Sequence, residues 1–237
     1  MHPTAMSNCK SFFDTYVDSF SDSNKLKIVE IGSQDVNGSL REVAPANCEY
    51  TGVDFAEGKG VDVVLSDPYS LPFESDSADI VLSSSCFEHS EMFWIVYLEI
   101  LRILKPKGLF YLNIPSIGPF HRYPVDCWRF YPDSGRALVS WAKRNAINAA
   151  LMESYVCAQK SEVWNDFVAV FLKDEKFAAD FPKRILDQKS DIENGIIYGK
   201  NDLLKPSASP EELNQGNPLM RNLSKLWRIF SLRRRMP

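Results

Sequence analysis

Nowhere in the 237 residues does an apolar run approach the eighteen or so needed to cross a bilayer. The longest stretches, Phe93 to Leu98 and Ile100 to Leu104, are separated and interrupted by Glu99 and Arg102. The first twenty residues hold His2, Lys10, Asp14 and Asp18 but no continuous apolar core, so they do not read as a secretory signal and a cytoplasmic setting is expected. Cysteine pairs are also missing. Cys9, Cys48, Cys86, Cys127 and Cys157 lie far apart in sequence, a spacing that fits neither a zinc cluster nor a small disulfide framework, so no metal is expected. Internal repeats are absent too. With 45% hydrophobic and 24% charged residues, the balance excludes disorder throughout.

Charge is unevenly placed. Met220 to Pro237 carries Arg221, Lys225, Arg228, Arg233, Arg234 and Arg235 and no acid; without those six charges the net −4 becomes −10. So acidic a remainder argues against nucleic acid as a partner. In helical projection Leu219, Leu223, Leu226, Trp227 and Phe230 share one side of the tail, with Arg221, Lys225 and Arg228 opposite. That is the pattern of a basic interfacial helix over 219–235, suited to peripheral contact with an anionic membrane or to docking on protein. Oligomeric state is not legible.

Short β-branched runs ending in turn residues predict parallel strands at Lys25 to Gly32, Tyr50 to Asp54, Val61 to Leu65 and Ala78 to Ser83. A short helix is expected over Ser39 to Ala44, before Pro45. A longer one over Glu91 to Leu104, capped by Ser90, stops at Lys105-Pro106-Lys107-Gly108. Leu109 to Ile114 makes a fifth strand, Pro115 to Tyr131 a polar and aromatic loop, and Pro132 to Lys143 a helix. Met152 to Ala158 and Val163 to Lys173 close the pattern as a hairpin. The expected architecture is α/β: a Rossmann-like, mostly parallel seven-stranded sheet with helices on both faces and an antiparallel terminal strand. It occupies residues 25–173, between a lead segment, 1–24, and an extension, 174–237, partly helical over 176–199 and linker-like over 200–218.

The turn after the first strand, Gly32-Ser33-Gln34-Asp35-Val36-Asn37-Gly38, lies at the carboxyl edge of the sheet, where open α/β folds bind ligands. Gln34 stands where a dinucleotide fingerprint needs its second glycine, which weighs against an NAD(P)-dependent oxidoreductase. Asp54, about twenty residues on, is placed to accept hydrogen bonds from two ribose hydroxyls. An adenosine ligand without a pyrophosphate satisfies both observations.

The segments VEIGSQDVNGS (29–39), YTGVDF (50–55), SDPYSLPFESDSADIVLSSSCFEH (66–89) and LRILKPKGLFYLNIPS (101–116) together resemble the class I S-adenosylmethionine-dependent methyltransferases, in particular the small-molecule, type 11-like group. The resemblance runs from Ile28 to about Phe171 and implies S-adenosylmethionine as cofactor. It implies that Gly32, Ser33 and Gly38 wrap the methionine part with Glu30 near its ammonium, that Asp54 holds the ribose, that Asp67 meets the adenine, and that Ser83 also lies at the cofactor. Members of that group often have a more glycine-rich first motif and glycine in place of Lys107, so a differently shaped cofactor loop is expected here.

Methyl transfer to a hydroxyl requires alignment and loss of a proton. His89 and His121 are the candidate bases. Beside His121, the segment Pro119 to Tyr131 offers Arg122, Tyr123, Asp126, Trp128 and Arg129, types that stack on or hydrogen-bond a polyhydroxylated acceptor. The alternative is that Trp128 seals the loop and Arg129 pairs with Asp126. Similar His-Arg-Tyr-Pro and Trp-Arg-Phe segments occur in methyltransferases of glycan assembly, so a sugar, glycan precursor or small metabolite is the expected acceptor. A non-catalytic binding or assembly subunit is the other alternative.

Overall fold

The computed structural model describes residues 3–20, 25–158 and 163–207. Its centre is an eight-stranded sheet in the order β3-β2-β1-β4-β5-β7-β6-β8. The strands are β1 (Leu26–Ile31), β2 (Cys48–Asp54), β3 (Val63–Val64), β4 (Ala78–Ser84), β5 (Leu104–Ile117), β6 (Ala150–Cys157), β7 (Asn165–Leu172) and β8 (Ile192–Ile197). The first five run parallel; β7 is antiparallel to β5 and β6, and β8 is antiparallel to β6. From β1 the chain winds outward to β3, then crosses back to place β4 on the other side of β1. Such a reversal opens a crevice at the strands' carboxyl ends.

Both sheet faces are covered, so β4 is buried along its whole length. On one face α2 (Phe93–Ile103) and α3 (Ser134–Arg144) pack on the sheet. Val96, Tyr97, Ile100 and Leu101 of α2 recur at helical spacing and bury against Phe110 and Phe171. The opposite face is sealed by α1 (Pro3–Tyr16), whose Phe12 ring lies 5.0 Å from Tyr111. The Tyr16 hydroxyl donates to the buried Glu153 carboxylate on β6.

The sheet and its cover therefore reach beyond 25–173 on both sides. The eighth strand forms where partial helix was expected; short 3-10 turns, Glu175–Asp180 and Ile185–Asp187, are the helical part. Three local expectations change. The segment around residue 40 is a single 3-10 turn, Leu40–Val43, capped by the Ser39 hydroxyl. Ser90 does not cap α2, which starts at Phe93; the Ser90 carbonyl instead accepts from the Trp128 indole. Lys105 to Gly108 lies within β5, where the pairing with β4 shifts register between Ala78 and Ile80. No helix among the described residues is long and apolar enough to cross a membrane. The basic tail, 219–235, lies outside the described residues.

Candidate functional site

The crevice at the carboxyl ends of β1, β2 and β4 is a cavity of about 470 Å³. Gly32 begins its floor. At φ +80° it has a backbone that L side chains rarely adopt, and a Cβ there would stand 2.6 Å from Cys86 Cβ, so the close approach of these two loops needs glycine. Gly38, at φ +117°, closes the same turn, its amide donating to Asp35 Oδ1 at 2.7 Å. Asp54 ends β2 at the cavity wall, 8% exposed, and accepts from the Gln34 and Ala56 amides at 3.2 Å each. Phe55 and Tyr69 add aromatic wall.

Gln34 also faces the cavity. Its Nε2 reaches the Glu57 carbonyl at 3.4 Å and its Oε1 accepts from the Tyr123 hydroxyl at 3.3 Å. The residue that departs from a dinucleotide fingerprint thus links the first loop to the loop after β5.

The other end of the cavity is built by two segments. The 3-10 turn Phe87–His89 after β4 carries Glu88 and His89; the 115–131 loop carries His121, Arg122 and Tyr123. Backbone contacts lock them together: the Glu88 carbonyl accepts from the Cys127 amide at 2.7 Å, and His89 Nδ1 donates to the Val125 carbonyl at 2.5 Å. A carbonyl only accepts, so Nδ1 carries the proton and Nε2 keeps its lone pair. The His89 and His121 rings stand 4.8 Å apart, edge to face, and His121 packs 4.7 Å from Trp164. Burial lowers the His89 pKa and favours neutral imidazole.

Sequence reasoning missed Glu88. Its carboxylate is fully buried, lines the cavity and has no hydrogen-bond partner for either oxygen among the described residues; burial pushes its pKa up to about 8. The only hint was its place beside His89 at a strand end. Cys86 also lines the wall, and burial pushes its thiol up to about 12, so it stands there as a protonated thiol rather than a nucleophile.

Of the residues expected at the cofactor, Gly32, Gly38 and Asp54 line this cavity, while Glu30, Ser33, Asp67 and Ser83 do not. Glu30 lies in the face covered by α1, accepting from the Tyr50 hydroxyl at 2.7 Å, with burial raising its pKa to about 7. Ser33 is buried behind the loop, close to Gly52; Asp67 is exposed and turns its carboxylate to the Tyr69 amide; Ser83 is buried in β4, while the adjoining Ser84 and Ser85 reach the cavity.

Of the residues expected at the acceptor, His89, His121, Arg122 and Tyr123 face the cavity and Asp126, Trp128 and Arg129 do not. Those three build the loop. Arg129 binds both Asp126 oxygens and the Pro119 carbonyl, and Asp126 also accepts from the His121 amide at 2.7 Å. The Arg129 guanidinium holds the Asp126 carboxyl down to about 2. Trp128 packs edge-on against Phe93 and Trp94. Arg122 is exposed at the cavity mouth, with no ion pair or hydrogen bond among the described residues.

Residues 30–112 match a family model described as a methyltransferase domain. An uncharacterized methyltransferase of Mycobacterium marinum is 33% identical over 105 residues, 44% of this chain and 40% of that protein. One from Mycobacterium avium is 29% identical over 116 residues, 48% of this chain and 42% of that protein. The chain therefore matches about two fifths of the length of these curated relatives. Among solved structures, 1,6-didemethyltoxoflavin-N1-methyltransferase of Burkholderia thailandensis, with bound S-adenosylhomocysteine, superposes with a TM-score of 0.55 at 14% identity, over 72% of this chain and 79% of that one. The YcgJ protein of Bacillus subtilis gives 0.52 at 12% identity, over 73% and 100%. These likenesses show a shared fold.

Proposed function

We propose that this chain, whose residues 30–112 match a methyltransferase-domain family model, is a class I, S-adenosylmethionine-dependent methyltransferase that transfers a methyl group to a hydroxyl of a sugar, glycan precursor or small metabolite. The observation that carries this reading is one cavity with two chemically distinct ends: Gly32, Gly38 and Asp54 at one, Glu88, His89 and His121 at the other. The residues present fit an adenosyl sulfonium. Asp54 and Asp166 make the wall acidic, suited to a cationic ligand, and the glycine turn leaves backbone exposed where a side chain would fill the space. Gln34 occupies part of the room a pyrophosphate would need, which is why a nicotinamide dinucleotide fits less well.

When bound, S-adenosylmethionine supplies an electrophilic methyl carbon on a positively charged sulfur. Asp54 would hold it by accepting from the ribose hydroxyls, and the Gly32–Gly38 turn would follow its amino-acid part. Phe55 and Tyr69 supply apolar area that excludes water. The acceptor oxygen would sit toward His89 and His121, the groups able to take its proton, while Tyr123 and Arg122 meet the acceptor at the mouth. A hydroxylated acceptor is favoured by these polar groups beside the exposed Tyr123 ring. Incubation of the full chain with methyl-labelled cofactor and a panel of sugars, nucleotide sugars and hydroxy acids tests the reading. Label transferred to a hydroxyl, and lost with His121→Gln, is expected; turnover confined to amines or thiols would overturn the acceptor class.

A further inference from the structure

We propose that Glu88, His89 and His121 form a binding site for a divalent first-row transition-metal ion at the acceptor end of the cavity. One ligating atom from each residue lies within 4.8 Å of the others, and His89 Nε2 stands 3.8 Å from Glu88 Oε1. Donor atoms around one zinc-sized ion are about 3.3 Å apart, so the set has to draw in by about 1.5 Å at most. No ion is present.

Three features point to a cation rather than a chance cluster. First, both Glu88 oxygens are buried at the cavity without a hydrogen bond among the described residues, a costly arrangement that a bound ion would offset. Second, the Val125 carbonyl holds His89 Nδ1–H, an outer partner of the sort that orients a metal ligand and leaves Nε2 free to bind, while His121 Nδ1 is buried without a hydrogen bond among the described residues, 3.5 Å from Asp126 Oδ2. Third, Asp126 is itself fixed by Arg129, and the Cys127 amide ties the loop to the Glu88 carbonyl, so ligands from two segments are held in one place. Two imidazoles and one carboxylate favour zinc, iron, cobalt or nickel over magnesium or calcium, and three protein ligands leave positions open.

The role of the ion, though not its binding, rests on the methyl-transfer reading, and with the ion bound both imidazoles are ligands, so water rather than His89 or His121 takes the acceptor's proton. An acceptor hydroxyl coordinated at an open position loses its proton to water more readily. An oxygen lone pair then forms the new O–C bond as the C–S bond breaks and its electron pair stays on sulfur.

Cobalt(II) titration of the full chain, followed by d–d absorption, tests the site. One saturable equivalent is expected, without the intense charge-transfer band of thiolate ligation. Glu88→Gln, His89→Ala and His121→Gln should each weaken it at least tenfold, while His2→Ala, the remaining histidine, leaves it unchanged. His121 lies on the half-exposed loop, so His121→Gln reports even if the buried Glu88 variant fails to fold. No saturable binding, or equal affinity in wild type and His121→Gln, would overturn the proposal. S-adenosylhomocysteine titrated into the same samples separates the two readings: cobalt binding without it sinks methyl transfer alone, and the reverse sinks the ion site alone.

Discussion

In the proposed function Asp54 is the residue on which cofactor recognition turns: its carboxylate meets the cavity at a strand end while two amides fix its orientation. Asp54→Ala should weaken S-adenosylhomocysteine binding by one to two orders of magnitude, about 1.5–3 kcal/mol for a charge-assisted hydrogen bond; unchanged affinity would remove it from the site. Glu30 has a different consequence. Its pKa rises to about 7 on folding from an ordinary 4.5, so the folded state favours the protonated form. The stability this provides is complete below about pH 4.5 and is lost as pH rises through about 7. Glu30→Gln keeps an acceptor for the Tyr50 hydroxyl and cannot ionise. Urea unfolding near pH 5 and pH 8 should show a decline with pH that is smaller in the variant by on the order of 2–3 kcal/mol. Identical pH dependence would contradict the assignment. The placement of Gly32, Gly38 and Asp54 at the crevice was legible because turn chemistry and strand ends are local. Glu88 was not, since burial without a partner is a property of the assembled protein.

The 115–131 loop shows why composition misleads at the scale of an element. Its arginines, tryptophan and aspartate suit a sugar pocket, yet Arg129, Trp128 and Asp126 are spent on the loop's own geometry, and Arg122, Tyr123 and His121 are left to the cavity. Residue type says that a side chain can bind; only packing says whether it is already taken. Asp126→Ala removes the acceptor of the Arg129 pair and of the His121 amide. Limited proteolysis within 115–131 should accelerate several-fold, with S-adenosylhomocysteine affinity changing by less than threefold, because the cofactor end is built elsewhere. Protection as in wild type would show that the pair does not organise the loop. The strands over 25–173 were legible from β-branched runs and turn residues. The eighth strand was not: β8 reads IENGII, with Asn194 and Gly195 inside it, and pairing with the edge of β6 overrides that weak propensity.

Across the whole molecule, charge separates an acidic body from a basic carboxyl-terminal stretch. The sequence pattern of 219–235 predicts that full-length protein pellets with anionic vesicles and a form ending at Gly216 does not; equal pelleting would leave membrane contact without support. Strand patterning sets the sheet order, the sheet order opens the crevice, and the cavity there is proposed to take an adenosyl sulfonium. Isothermal titration calorimetry of the full chain with S-adenosylmethionine, S-adenosylhomocysteine and a nicotinamide dinucleotide tests it most directly. Micromolar binding of the first two and none of the third is predicted; binding of the dinucleotide, or of none of the three, would contradict it.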